Sequence, residues 1–373
     1  MSNLTMQQFV TRERTTPTIR DAEKRRLDFG EIYARFENEQ AQEQAGRCAQ
    51  CGVPYCQIHC PLSNNIPDWL ALTQEGRLRE AYEFSSQTNV FPEICGRICP
   101  QDRLCEGSCV IEQSGHNTVT IGAVESFITD TAWENDWVDP IVPGHASNKT
   151  VAIVGAGPAG LACAERLVRY GHKVVAFDRY DRVGGLLIYG IPNFKLDKMI
   201  VERRTAWLQD SGIEFRLGID VGKDVSMDDL RCDFDAVMLA CGVYQPRVLD
   251  ILHTQPTGIV AALDYLIASN RKGLGDHVAR FDDGSLCAKD KHVVVVGGGD
   301  TAMDCVRTAV RQGAKSVKCL YRRDRKNMPG SAREVANAQA EGVEFVWLSL
   351  PTAIRANKEN QVSSLSVQSM RLH

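Results

Sequence analysis

Eight of the fourteen cysteines fall between residues 48 and 109, in two runs, CAQCGVPYCQIHCP (48–61) and CGRICPQDRLCEGSC (95–109). The first run spaces Cys48, Cys51, Cys56 and Cys60 as C-x2-C-x4-C-x3-C-P. The second spaces Cys95, Cys99, Cys105 and Cys109 as C-x3-C-P-x4-C-x3-C. Two sets of four soft thiolates suit two [4Fe-4S] clusters. Zinc is the alternative, but a four-cysteine zinc site favours paired C-x2-C knuckles, and only Cys48 and Cys51 have that form. The other six cysteines, Cys163, Cys232, Cys241, Cys287, Cys305 and Cys319, stand singly and read as small buried residues.

Two glycine turns supply the second kind of chemistry. Gly155, Gly157 and Gly160 form G-x-G-x-x-G after the apolar run VAIV and before a helical pattern, the arrangement that lets a pyrophosphate approach helix N–H groups. Asp178 follows Gly155 by twenty-three residues, at the tip of the next apolar run, where a carboxylate would meet a ribose. The plan repeats at VVVVGGGDTAMDCVRTAVRQGAKSVKCLYRR (293–323), with Gly297, Gly298, Gly299, Asp300 and Thr301 at the turn and Ala302 in the last small-residue place. The acid is replaced there by Arg322 and Arg323. Guanidinium groups bind a 2'-phosphate through paired charged hydrogen bonds, so the second turn is expected to take NADPH rather than NADH. Two nucleotide sites on one chain suggest a bound flavin that accepts a hydride from the nicotinamide. A flavin-linked disulfide reductase would share that layout but needs a redox cysteine pair, and no C-x-x-C follows residue 51.

The elements that must hold these groups divide the chain. Residues 20–47 read as a helix leading into the first thiol run, and Pro67 starts a second helix carrying Trp69, Leu70, Leu78 and Tyr82. A further helical pattern runs through Ile121, Val124, Phe127 and Ile128. WVDPIVPGHASNKT (137–150) has the composition of a linker, and from Val151 apolar strands alternate with helical segments, as parallel sheets with crossover helices are written. The expected fold class is α/β. An all-helical iron-sulfur domain (1–145) is expected to precede two Rossmann-like, glutathione-reductase-like domains (146–250 and 251–373). GGLLIYGIPNFKL (184–196), with Gly185 and Leu186, could bring backbone close to a flavin, and LACGVYQPR (239–247) could carry the chain between domains, but the residues alone read equally as ordinary loops.

A length of 373 residues allows two or three domains, and a net charge of -4 leaves no large basic surface for nucleic acid. The start, MSNLTMQQFVTRERTTPT, lacks the basic head and apolar stretch of a secretory signal, and no run approaches the ~18 apolar residues of a membrane span. The chain is therefore expected to be cytoplasmic, where cysteines serve metal or redox chemistry more than disulfides.

Taken in order, the two thiol runs, VAIVGAGPAGLACA, GGLLIYGIPNFKL, VVVVGGGDTAMDCVRTAVRQGAK and YRRDRKNMPGSAREV resemble the small (beta) subunits of bacterial NADPH-dependent glutamate synthases over about residues 20–350. Related modules occur at the front of dihydropyrimidine dehydrogenase and in bifurcating ferredoxin:NADP oxidoreductases. The resemblance implies FAD on the first turn, NADPH on the second, and electrons leaving through two [4Fe-4S] clusters to a large (alpha) subunit that makes glutamate from glutamine and 2-oxoglutarate. It implies Cys48, Cys51, Cys56 and Cys99 around one cluster, and Cys60, Cys105, Cys109 and Glu125 around the other. On the simpler reading Cys95 is the eighth ligand and Glu125 lies on a solvated face. Hydride and electron transfer by cofactors calls for no catalytic acid or base. Residue 2 is Ser and the first thiol is Cys48, so an N-terminal cysteine nucleophile for glutamine hydrolysis belongs to a partner. Members of the family continue past the position of SVQSMRLH, which leads to the expectation of weak FAD binding and an exposed sheet edge. The competing class is an inactive iron-sulfur binding module.

Overall fold

The computed structural model describes residues 7–246, 249, 251 and 256–372. Ser2, Arg247 and His373, which figure in the sequence reading, lie outside them. The chain forms two compact units. The first comprises residues up to Arg20, Glu31–Leu187 and Lys195–Gly242. The second comprises Asp21–Gly30, Ile188–Phe194 and the residues from Val243 onward.

The helix expected over 20–47 is two short helices, α1 (Ala22–Arg25), which belongs to the second unit, and α2 (Asn38–Ala45) in the first. Between them the chain turns back: Ala34 N–H donates to Thr18 O, Arg20 N–H donates to Ile32 O, and Ile19 bridges Tyr33. Asp28 accepts from Gly30 N–H at the bend. The side chains of Ile32 and Phe36 enter the core from this extended stretch and not from a helix.

The rest of the helical part follows as α3 (Tyr55–Ile58), α4 (Ile66–Gln74), α5 (Leu78–Ser86), α6 (Pro92–Ile98), α7 (Val110–Gln113) and α8 (Ile121–Glu134). Pro67 does stand in the first turn of α4, where its missing N–H costs nothing. The single helix expected from Pro67 to Tyr82 is broken at Gly76, whose φ of 76° closes α4 before α5 begins. Trp69, Val124 and Ile128 form the centre of this core, and Cys48, Cys56 and Cys60 pack against it.

A four-stranded parallel sheet completes the first unit: β1 (Thr150–Val154), α9 (Pro158–Arg169), β2 (Lys173–Asp178), α10 (Leu186–Tyr189), α11 (Lys198–Asp210), β3 (Glu214–Leu217), α12 (Met227–Asp233) and β4 (Ala236–Leu239), in the order β3-β2-β1-β4. The α10 helix begins in this unit and ends in the second. A buried ion pair ties sheet to helices. Arg204 on α11 donates to both oxygens of Glu93 on α6, at 2.6 and 2.8 Å, and lies over the Trp133 and Trp207 rings. This fork-to-fork geometry is the form in which buried ions hold one another well.

The second unit carries α13 (Ala262–Gly273), α14 (Ala279–Asp282), β5 (His292–Val296), α15 (Asp300–Arg311), β6 (Ser316–Leu320), α16 (Ala332–Ala340), β7 (Glu344–Val346) and the antiparallel pair β8 (Ser349–Ala356) and β9 (Val362–Ser369). The β5, β6 and β7 strands form a parallel sheet in that order. Among the described residues β5 pairs on one side only, and its Val294 is exposed. Within this unit Arg307 and Arg311 of α15 bind Glu341, Arg25 of α1 joins them on the same carboxylate, and both α15 guanidiniums lie over the Phe194 ring.

Candidate functional site

The first glycine turn joins β1 to α9. Gly155, at φ 109°, passes so close to the Ala240 carbonyl that a Cβ there would lie 2.3 Å from its oxygen. A Cβ on Gly160 would lie 1.9 Å from Gly155 O. These two glycines are therefore required by the fold itself. Gly157 is different: it is the N-cap of α9 with φ -82°, and a Cβ would meet only Gly185 Cα, at 3.8 Å. Nothing in the described chain demands a missing side chain at Gly157, so the open space in front of the α9 N-terminus is a fit for an incoming pyrophosphate. Gly185, at φ 54°, faces this turn, and Leu186 starts α10 beside it.

Asp178 sits at the end of β2, as its spacing suggested, and is nearly buried. One carboxylate oxygen accepts from Ala156 N–H at 2.7 Å and the other from Tyr180 N–H at 2.9 Å. The acid thus braces the glycine turn, and each oxygen retains a lone pair for a ribose hydroxyl.

The second turn has the same anatomy. Gly297, at φ 149°, ends β5, and Gly299 caps α15 with no atom within 4 Å of the place a Cβ would take. Gly298 packs under Tyr321, whose ring would stand 2.5 Å from a Cβ. The loop after β6 folds back over the turn: Gly330 N–H donates to Gly298 O at 2.7 Å, and Ser331 N–H donates to Asp300 Oδ1 at 2.9 Å. Asp300 therefore fixes that loop. Thr301, Arg322 and Arg323 are exposed, the arginines just past β6. The role of Tyr321 as a floor for the turn carried no signal in the sequence beyond its place before the two arginines.

The resemblance put Cys99 with Cys48, Cys51 and Cys56, whereas Cys109 lines a pocket with those three. One pocket is lined by Cys48, Cys51, Cys56 and Cys109, together with Pro54, Tyr55, Pro67, Val110 and Ile111, around about 300 Å³ of space, open solvent included. Cys109, not Cys99, stands with the first run, because it is the N-cap of α7 and the Val110–Ile111 turn brings it onto the pocket wall. Cys99 caps the end of α6, within electrostatic reach of Cys95. Cys105 lies in the field of Glu106, Glu125 and Cys60, and Glu125 in that of Cys95. Glu125 is buried on α8, whereas the simpler reading put it on a solvated face, and it accepts from Asn89 Nδ2 at 3.0 Å. The other side of Asn89, Oδ1, receives Phe91 N–H and the Cys95 thiol.

Burial pushes the Cys48 and Cys56 thiols up to about 12 and raises Cys51 and Cys105 as well, while Glu125 is driven well above the usual carboxyl range by burial and then by Cys95. Shifts in this direction favour the protonated forms, so binding a metal would displace protons. Among the described residues no three His, Cys, Asp or Glu side chains converge as they would on a single ion. Four cysteines nevertheless line one pocket, a donor set suited to a polynuclear iron-sulfur centre. Sequence reasoning missed Asn89, six residues before Cys95, and Arg47, directly before Cys48, because neither residue type at its place signals a role beside the thiols. No described helix is long and apolar enough to cross a membrane.

Residues 25–137 match the family described as dihydropyrimidine dehydrogenase domain II, 4Fe-4S cluster, and residues 149–371 match pyridine nucleotide-disulphide oxidoreductase. The glutamate synthase [NADPH] small chain of Azospirillum brasilense is 61% identical over 94% of this chain and 73% of its own length. The protein of the same description from Escherichia coli strain K12 is 49% identical over 96% of this chain and 76% of its own. Among solved structures, a variant of FprA from Mycobacterium tuberculosis aligns with a TM-score of 0.50 at 19% identity, over 59% of this chain and 64% of that one, a likeness of fold.

Proposed function

Because the chain belongs to the family of glutamate synthase [NADPH] small chains, we propose that it is an electron-input subunit that oxidises NADPH and delivers electrons to a large chain making glutamate from glutamine and 2-oxoglutarate. It is an NADPH-dependent oxidoreductase with an iron-sulfur domain ahead of a Rossmann-like one. When bound, FAD and two [4Fe-4S] clusters supply the conversion of a two-electron hydride into single electrons.

The chain's own residues hold and orient. Gly157 and Gly185 leave room for the FAD pyrophosphate before α9, with Asp178 on the ribose. Gly299 does the same before α15, and Arg322 and Arg323 favour the 2'-phosphate of NADPH. Cys48, Cys51, Cys56 and Cys109 hold one cluster. Cys60, Cys99 and Cys105 hold the other with Glu125, a buried carboxyl that no cation contacts among the described residues. Three domains, 1–145, 146–250 and 251–373, divide these tasks.

The observation that carries this reading is the pocket drawing four thiols from both cysteine runs. Around it Val53 and Ile58 are 57% and 59% exposed, and Tyr55, Leu62 and Val110 are also open. Such an apolar surface beside a redox centre supports docking of the large chain there. The test is anaerobic addition of NADPH, following flavin and cluster absorbance, and then glutamate formation once the large chain is added. Bleaching without glutamate would favour a related NADPH module serving another acceptor. No bleaching would sink the electron-input reading and favour a binding module.

A further inference from the structure

Among the described residues five arginines are buried, and four of them face carboxylates. Arg25, Arg307 and Arg311 pair with Glu341, Arg307 also with Glu334, and Arg204 with Glu93. Arg47 is the exception. It is 0% exposed, and its guanidinium donates to main-chain carbonyls. Its Nε reaches Arg12 O at 3.0 Å, Nη1 reaches Thr118 O at 2.5 Å, and Nη2 reaches His116 O at 2.7 Å and Asn117 O at 3.0 Å.

Carbonyls satisfy the donors and carry no net charge. A buried cation whose nearby carboxylate, Glu112, is exposed and accepts from Thr118 N–H instead is poorly compensated by the described residues. The charged groups it senses are Arg14, a second cation, with Cys109 and the exposed Glu112. Arg14 is itself paired to Glu106 and supplies no compensation.

The position of Arg47 shows what does. It is peptide-bonded to Cys48, and three of its four carbonyl partners lie in the loop after α7, the helix capped by Cys109. Cys48 and Cys109 both line the same pocket. Four thiolates around iron and sulfide carry a net negative charge at that point, and such a centre is the largest local charge in its site.

We propose that Arg47 is the built-in counter-charge of the cluster held by Cys48, Cys51, Cys56 and Cys109, and that it sets that cluster's potential above the value the four thiolates alone would give. The inference rests on the assignment of that pocket to a cluster. A fixed cation favours the form with one more electron, so the cluster beside Arg47 accepts an electron more readily than it would without that charge. Arg47 touches no sulfur through a hydrogen bond and acts as a positioning and tuning residue.

The experiment uses the full chain, loaded anaerobically, as wild type, Arg47→Gln and Arg47→Lys. Iron and acid-labile sulfide are measured first; a wild-type protein that holds neither overturns the cluster assignment itself. Potentiometric titration followed by electron paramagnetic resonance then reads both clusters. The expected result is a shift of one cluster to more negative potential in Arg47→Gln, the other unchanged, and wild-type potentials in Arg47→Lys. Two unshifted clusters in Arg47→Gln, or an equal shift in both variants, would overturn the proposal while leaving the cluster assignment standing. If Arg47→Gln does not fold, Arg47→Lys decides: it keeps the charge but loses donors, so it must lose stability and retain the potential.

Discussion

Replacing Gly157 by alanine separates what the fold needs from what the ligand needs. At this residue φ is -82° and ψ is -176°, extended backbone open to any residue, and the new methyl would meet only Gly185 Cα at 3.8 Å. Alanine is a poorer N-cap than glycine by roughly 0.5–1 kcal/mol, while its stiffer unfolded chain returns about 0.4–1 kcal/mol. The two terms nearly cancel, so the apoprotein should keep its stability to within about 1 kcal/mol. The methyl does occupy the space a pyrophosphate needs against the α9 N-terminus. Overpacking of a fitted contact costs about 1–3 kcal/mol, which weakens flavin binding roughly 5- to 150-fold. Gly160→Ala is the control, because its methyl would sit 1.9 Å from Gly155 O and must move backbone. Urea unfolding of the apoprotein and flavin titration by fluorescence measure the two quantities. Gly157→Ala that binds flavin as tightly as wild type, or that unfolds as readily as Gly160→Ala, would refute this division of labour.

The same logic at Gly299→Ala should weaken NADPH and leave flavin binding and stability alone, as read by steady-state KM and thermal melting. Cys109→Ala and Cys56→Ala should abolish one and the same cluster signal, whereas Cys95→Ala should leave two clusters and Glu125→Ala one; iron content and electron paramagnetic resonance check this. Removing both Arg322 and Arg323 should lower kcat/KM for NADPH roughly 10- to 100-fold, the worth of about 1.5–3 kcal/mol in charged hydrogen bonds, with NADH barely affected. Glu341, though burial opposes its ionisation, is held at about 2 by hydrogen bonds from Arg307 and Arg311, below the ordinary 4.5. Its folded value is depressed, so its stabilisation is complete above 4.5 and is lost as pH falls toward 2. Glu341→Gln should flatten that acid limb in urea titrations and destabilise by about 3–5 kcal/mol at pH 7.

Local signals were legible and distant ones were not. The glycine turns could be read because strand, turn and helix are written within a few residues, and β1–α9–β2 and β5–α15–β6 follow them. The α8 helix likewise declared itself through one apolar face, Ile121 to Ile128. The stretch 20–47 misled because Ile32 and Phe36 recur at helical spacing yet are set by a bridge to Ile19, which periodicity does not report. The partition of the cysteines was hidden for the same reason. Spacing offers eight thiols, and only the packing of α7 against the first run decides that Cys109 joins Cys48. Asp178 does end β2 as its spacing suggested, but its bond to Ala156 N–H is a matter of geometry that spacing does not contain.

The pocket that takes three walls from residues 48–56 and a fourth from Cys109 also dates its own completion during synthesis. Until the ribosome has delivered Cys109 past the exit tunnel, the earlier thiols have no fourth partner and wait as reactive sulfur in a growing chain. Residue 109 of 373 emerges well before the chain is finished, so the thiol set is complete while the strands from Thr150 onward are still to be made, and the proposed outlet for electrons can be assembled ahead of the flavin-type sheet that feeds it.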